Sequence, residues 1–269
     1  MLAAIFPFDA FGSAGTGAGA LLLGDALREM LADSKRETQM SRSHAFRDRV
    51  RVKEVDFDSA TKLNDWRETG RNLVRTGRKT GEPLLWLAGN HLAVLPVYEE
   101  LGPDSLVVQF DAHLDIYNLA DCTTELSHGN FLMHAAGPLP SIVNVGSRDL
   151  FLPEKHALQH FCEVHTAEDL SCDCEGVMRR LNGLVRKARS VWIDIDCDVF
   201  DPTFVPGVQH PQPFGLSPAV LLRVLSSIWS RKVVGLSLSE FDPGRDHNDQ
   251  SLQTLVWLIE WCLLQWTER

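Results

Sequence analysis

The 269-residue chain predicts an α/β fold, a parallel sheet covered by helices on both faces. Three observations carry that prediction. Short apolar runs alternate with longer segments of helical periodicity. An apolar fraction of 44% supports a sizeable core and argues against disorder. Polar clusters recur at the carboxyl ends of the apolar runs, where parallel sheets bind ligands. No internal repeat or low-complexity linker breaks the pattern, so residues 1–269 are expected to form one domain.

Residues 3–8 read as the opening strand. The glycine-rich turn 12–19 lacks the Gly-Lys-Ser/Thr of a phosphate loop and a clean dinucleotide spacing, so close backbone packing is expected there. A helix follows over 20–32. Residues 34–53 carry Lys35, Arg36, Arg42, Arg47, Arg49, Arg51 and Lys53, a solvated face or a partner contact. Leu63, Trp66, Leu73 and Val74 form one helical stripe. The pattern then predicts a strand at 83–87, a helix at 91–101, a strand at 106–110 and a loop at 116–126. A helix begins within 131–136, a strand covers 141–146, and helices cover 153–161 and 176–188. The strand 191–196 leads into a proline-rich loop at 202–213. Ser217-Pro218 starts a helix running to 229, with proline in its first turn. A strand at 233–238 runs up to Glu240, and a helix at 249–266 closes the chain.

A net charge of -10 disfavours bulk attraction to nucleic acid or anionic membrane. The basic stretch 35–53 has no aromatic interleaving beyond Phe46, so no nucleic-acid partner is expected. The six cysteines are scattered, and Cys172-Asp173-Cys174 is not a Cys-x-x-Cys pair. They read as thiols in a reducing compartment. No signal peptide is evident, and the apolar segment 252–266 is too short and polar to span a bilayer. The expectation is a cytoplasmic protein without a membrane partner.

The most informative stretch is Phe110-Asp111-Ala112-His113-Leu114-Asp115, at the end of an apolar run. A strand has a period of two, so Asp111, His113 and Asp115 share one side if strand geometry holds. Val191-Trp192-Ile193-Asp194-Ile195-Asp196 repeats the device. Asn90-His91 and Ser239-Glu240 end two further runs. Two carboxylates about 4 Å apart repel by roughly 4 kcal/mol at an effective dielectric near 20. Asp111, Asp115, Asp194 and Asp196 carry four negative charges, which two divalent cations cancel. Oxygen-rich ligation with two histidines suits Mn²⁺ better than zinc. Two such ions lower the pKa of a shared water, which is hydrolytic machinery.

These residues resemble the ureohydrolase superfamily, the arginases and agmatinases. Its Gly-Gly-Asp-His element is similar to Ala88-Gly89-Asn90-His91, and its Asp-Ala-His-x-Asp element is intact at 111–115. Its His-Gly element matches His128-Gly129. Its Asp-x-Asp-x-x-Asp-Pro element is read, with residues added, from Asp194 to Pro202, and its late Glu element is Ser239-Glu240-Phe241-Asp242-Pro243. The resemblance implies a three-layer α/β/α domain with a mostly parallel central sheet, as in arginases and deacetylases. It implies a hydrolase of C–N bonds in linear amidines that uses two Mn²⁺ ions and releases urea. One ion would be held by His91, Asp111, Asp115 and Asp194, the other by Asp111, His113, Asp194 and Asp196. Asp115 would orient the attacking oxygen, His128 would shuttle a proton, and Glu240 would meet the guanidinium. Asp198, Asp201 and Asp242 are expected to serve turns and supporting bonds.

The departures lie elsewhere. Asn90 replaces an Asp beside the first histidine and cannot raise imidazole basicity as a carboxylate would. The 116–126 loop offers Tyr117, Cys122, Thr124 and Leu126 where arginases read the substrate α-carboxylate. Apolar Phe151 stands near the position of the group that reads the α-amino end, although Glu154 remains. Gln209-His210-Pro211 replaces Gly-Thr-Pro, which places His210 among the pocket residues. The guanidinium end is kept and the amino-acid end rebuilt. The expected substrate is an arginine side chain within a peptide, converted to ornithine in peptide natural-product maturation, with the 35–53 segment helping to dock the peptide. Alternatives are a small-molecule guanidino or formimino hydrolase, and a non-catalytic metal- or partner-binding protein. A homo-oligomer is compatible with the resemblance.

Overall fold

The computed structural model describes residues 1–120, 122–150 and 152–268, without the side chain of Glu154. In chain order the elements are β1 (Leu2–Phe6), α1 (Thr16–Arg36), β2 (Arg51–Glu54), α2 (Ala60–Asn64), α3 (Trp66–Thr80), β3 (Leu84–Ala88), α4 (Leu95–Leu101) and β4 (Ser105–Phe110). They continue with β5 (Ser141–Ser147), α5 (Glu154–Ala157), β6 (Glu163–Thr166), α6 (Ala167–Lys187), β7 (Ser190–Asp196), α7 (Pro218–Ile228), β8 (Val233–Ser239) and α8 (Gln250–Glu268).

The eight strands form one sheet in the order β2-β1-β3-β8-β7-β4-β5-β6. Every pairing is parallel, so the expected mostly parallel sheet is wholly so. Alternation along each strand divides the core in two. Ala3, Ile5, Leu85 and Leu87 pack with α1, α6, α7 and α8 on one face. Leu2, Ala4, Phe6 and Trp86 pack with α3 and α4 on the other. This is the three-layer α/β/α architecture.

The chain passes from β3 to β4 across the positions later filled by β8 and β7. The four central strands β3-β8-β7-β4 therefore end side by side, and a crevice opens where strand order reverses. Glycine lets the loops close over it. A Cβ on Gly19 would lie 1.9 Å from the Phe241 carbonyl oxygen, which supports the close-packing reading of the 12–19 turn.

Several boundaries differ from expectation. The first helix starts at Thr16 instead of residue 20, and His91–Val94 is a short 3-10 turn before α4. Helix α6 begins nine residues before residue 176. Thr166 and Asp169 cap it with reciprocal hydrogen bonds, and it kinks at Asp173. The two strands that pattern reading missed, β2 and β6, are the sheet edges. Their sequences, RVKE and EVHT, carry the charges that discourage edge-to-edge pairing and so hide the apolar signature. The basic segment is thus partly a strand, with Arg51 paired to Glu82 just before β3 and Arg42 to Glu268. Both ion pairs hold it at the amino ends of the strands, opposite the crevice, so its expected part in docking a peptide is not supported.

Candidate metal centre

His91 stands one turn beyond β3, Asp111, His113 and Asp115 follow β4, Asp196 ends β7, and Asp198 lies in the 3-10 turn after it. These side chains form two adjoining clusters that share Asp111.

The inner cluster surrounds His91, which is 1% exposed. Its Nδ1 lies 2.7 Å from Asp115 Oδ2, 3.2 Å from Asp111 Oδ2 and 3.3 Å from Asp196 Oδ2. Neither that Nδ1 nor Asp111 Oδ2 makes a hydrogen bond, although both are buried. The other carboxylate oxygens are occupied: Asp111 Oδ1 accepts from His113 N at 2.7 Å, and Asp196 Oδ1 from Asp198 N at 3.0 Å. Asp115 reaches the cluster from a left-handed backbone, φ 51°, which departs from the strand geometry assumed for it.

The outer cluster joins Asp111, His113 and Asp198. His113 Nδ1 lies 2.9 Å from Asp198 Oδ2, and its Nε2 lies 2.8 Å from Gln212 Nε2. Rotating the Gln212 amide would turn its oxygen to that nitrogen as an acceptor. Asp198 is anchored by Ala112 N at 3.3 Å.

Charge explains why this arrangement calls for cations. Burial and the Asp115 charge push the Asp111 carboxyl up to about 7. Burial, Asp198 and Asp111 push Asp196 well above the carboxylate range. Burial opposes charging of His91, yet Asp194, Asp111 and Asp115 outweigh it and hold the imidazole well above its ordinary pKa. Burial likewise opposes ionisation of Asp198, but His113 holds that carboxyl below the ordinary range. The orphaned Nδ1, the orphaned carboxylate oxygen and the mutual repulsion are what a metal ion would relieve, and the donor set fits one.

Asp194 is the correction. Strand rise puts it about 6.6 Å below Asp196 along β7. Its Oδ2 meets Tyr98 OH at 2.6 Å and His91 Nε2 at 2.8 Å, and its Oδ1 accepts from Ser237 Oγ. It lies behind the His91 ring, on the side away from Asp111 and Asp196. Its oxygens thus face away from both clusters in which it was expected, and Asp198, expected to serve turns and supporting bonds, stands in the outer one. Asn90 makes no hydrogen bond to the His91 ring among the described residues: its Nδ2 donates to Ala10 O at 2.9 Å and its Oδ1 has no partner.

The mouth collects the remaining candidates. Glu240 is buried and sits at φ 63°, a left-handed backbone costly for so bulky a residue. Its Oε1 accepts from His91 N at 2.8 Å and lies 3.4 Å from His128 Nδ1. Burial opposes charging of His128, and the bond to Glu240 raises its pKa. A Cβ on Gly12 would fall 2.4 Å from the His128 ring, so that loop must be bare there. The exposed His210 ring lies 5.5 Å from that of His128, and Tyr117 lies 6.4 Å from that of His113. Phe151 and the Glu154 side chain lie outside the described residues.

The chain matches the arginase family over residues 4–264. It belongs to that family. An arginase 1 of Arabidopsis thaliana is 33% identical over 183 residues, covering 62% of this chain and 51% of the plant protein. This arginase-family chain therefore spans about half the length of such relatives. A hypothetical agmatinase from Burkholderia thailandensis superposes with a TM-score of 0.80 at 21% identity, covering 100% of this chain and 85% of that one. Arginase from Bacillus subtilis gives 0.79 at 20% identity, covering 98% of each. The family's Asp-x-Asp-x-x-Asp-Pro spacing fits Asp196-Cys197-Asp198-Val199-Phe200-Asp201-Pro202 with no added residue. That register was the sequence signal for Asp198. Tyr98, Ser237 and Gln212 had no such signal. Among the described residues no helix is long and apolar enough to cross a membrane.

Proposed function

We propose that this chain is a binuclear manganese hydrolase of guanidino C–N bonds, acting as one catalytic unit and releasing urea. One Mn²⁺ would be held by His91, Asp111, Asp115 and Asp196, the other by Asp111, His113, Asp196 and Asp198. The observation that carries this reading is the bare His91 Nδ1 facing three carboxylates beside a second His-Asp cluster that shares Asp111. Bound there, two divalent cations supply Lewis acidity and a water acidified for attack at neutral pH.

The protein's residues account for the other steps. Glu240 sets a buried anion at the mouth, where a planar guanidinium finds a complementary charge. Asp115 orients the attacking water. As water adds to the guanidinium carbon and the bond to the alkyl nitrogen breaks, the departing amine needs a proton. His128, whose pKa the neighbouring Glu240 raises against the effect of burial, is the donor at hand.

The substrate favoured is an arginine side chain held in a peptide, leaving ornithine. A cavity of about 840 Å³ beside the outer cluster supports this. Exposed Leu150 and Phe214 line it, and Gln212 is shared between it and His113. That volume, with mostly apolar walls that also include Arg148, Asp149, Glu168 and Asp201, has room for neighbouring residues of a peptide. A urea-release assay with added Mn²⁺ tests the reading. Arginine-containing peptides should yield urea and ornithine residues by mass spectrometry, and free arginine, agmatine and formimino compounds should react slowly. Equal rates on free and peptide-bound arginine would remove the peptide; no urea from any guanidine would remove the hydrolase.

A further inference from the structure

Asp194 is a buried carboxylate that the reaction above does not use. It is 0% exposed and has three polar atoms within hydrogen-bond distance. Their hydrogens can be assigned by elimination. Trp192 Nε1 only donates, and it lies 2.9 Å from Ser237 Oγ. Ser237 accepts there, so its own proton goes to Asp194 Oδ1. Burial and Asp194 raise the Tyr98 phenol well above its usual pKa, so Tyr98 donates to Oδ2. A carboxylate only accepts, so His91 Nε2, 2.8 Å from Oδ2, carries its hydrogen toward it.

We infer that Asp194, held by Tyr98 and Ser237, is a positioning residue that fixes the His91 tautomer and leaves Nδ1 bare for a cation. The inference rests on the metal-centre reading above. It also answers the loss of a carboxylate at Asn90: the chain supplies one to His91 from β7. Register makes this possible. Asp194 pairs with Ser237 across the β7–β8 ladder, and its side points toward the α4 layer that contains Tyr98. Phe131 completes the clamp, its ring 5.0 Å from that of His91 and 6.1 Å from that of Tyr98. A carboxylate behind a ligating imidazole raises its basicity and orients its ring.

The test is a metal titration of the full chain, with no substrate present. Wild-type protein should bind two Mn²⁺ ions. Asp194→Asn should still bind two, one of them about 10- to 100-fold more weakly. Tyr98→Phe, which keeps the ring packing, should weaken that same ion by a smaller factor. A purely structural role would instead lower the melting temperature of the metal-free protein and leave both affinities alike. In ¹⁵N-histidine-labelled protein loaded with Cd²⁺, the cadmium coupling of His91 should appear on Nδ1. Wild-type affinity for both ions in Asp194→Asn and Tyr98→Phe would overturn the inference while the metal centre stood. Loss of one ion outright in Asp194→Asn, or coupling on Nε2, would make Asp194 a ligand and overturn it too. Wild-type protein binding no pair of ions would take both readings down.

Discussion

The two halves of the centre are built differently. His91 is 1% exposed, whereas the His113 side chain is 18% exposed. Behind His91 stands a carboxylate fixed by a strand, a helix and an indole-bound serine. Behind His113 stands Gln212, from the irregular segment before α7. Side chains on regular elements hold their geometry without a ligand, and loop side chains depend on the loop. The inner half is preorganised, so the first ion should settle there, and the outer half is the more open to solvent.

Breaking a shared residue should have the largest effect. Asp111→Ala removes the carboxylate common to both clusters, and metal analysis should show both ions lost and urea release at background. Next comes the mouth: His128→Ala should lower kcat by about 100- to 10,000-fold with little change in metal content. Retention of wild-type kcat would remove His128 as proton donor. Gln212→Ala separates the halves most sharply. It should weaken only the outer ion, by about tenfold, and leave the inner one at wild-type affinity; equal weakening of both would erase the distinction drawn here.

A smaller effect concerns pH. Glu240 raises the His128 pKa, so protonated His128 persists to higher pH and activity that needs its proton falls as pH rises through that value. Glu240→Gln removes the negative charge and should move the His128 titration, followed by NMR, to lower pH. The smallest effect belongs to the basic edge. Arg51→Ala breaks a pair with Glu82 at the far ends of the strands and should leave KM for peptide substrates unchanged.

The same contrast runs through what was readable beforehand. Central strands announced themselves because burial on both faces demands unbroken apolar runs, as in Leu84–Ala88 and Ser105–Phe110. Edge strands β2 and β6 did not, because their exposed sides carry charge. His91, Asp111, His113, Asp115 and Asp196 were found from spacing and resemblance, and the structure brings them together. Asp194 was expected among the ligands because a period of two over residues 194–198 offers Asp194, Asp196 and Asp198 equally, although β7 ends at Asp196.

By itself, the sequence determined the alternation that makes a parallel sheet, the carboxyl-end location of the acidic clusters and the residue types able to hold cations. These follow from local periodicity, which is written in the order of residues. Tertiary structure decided which aspartates face each other, because depth along a strand acquires meaning only against its neighbours' register and the helix packed on it. It also decided that Tyr98, Ser237 and Gln212 belong to the centre. Such residues come from distant parts of the chain, and only the closing of β8 beside β7 and of the loop before α7 over the crevice brings them within hydrogen-bonding reach.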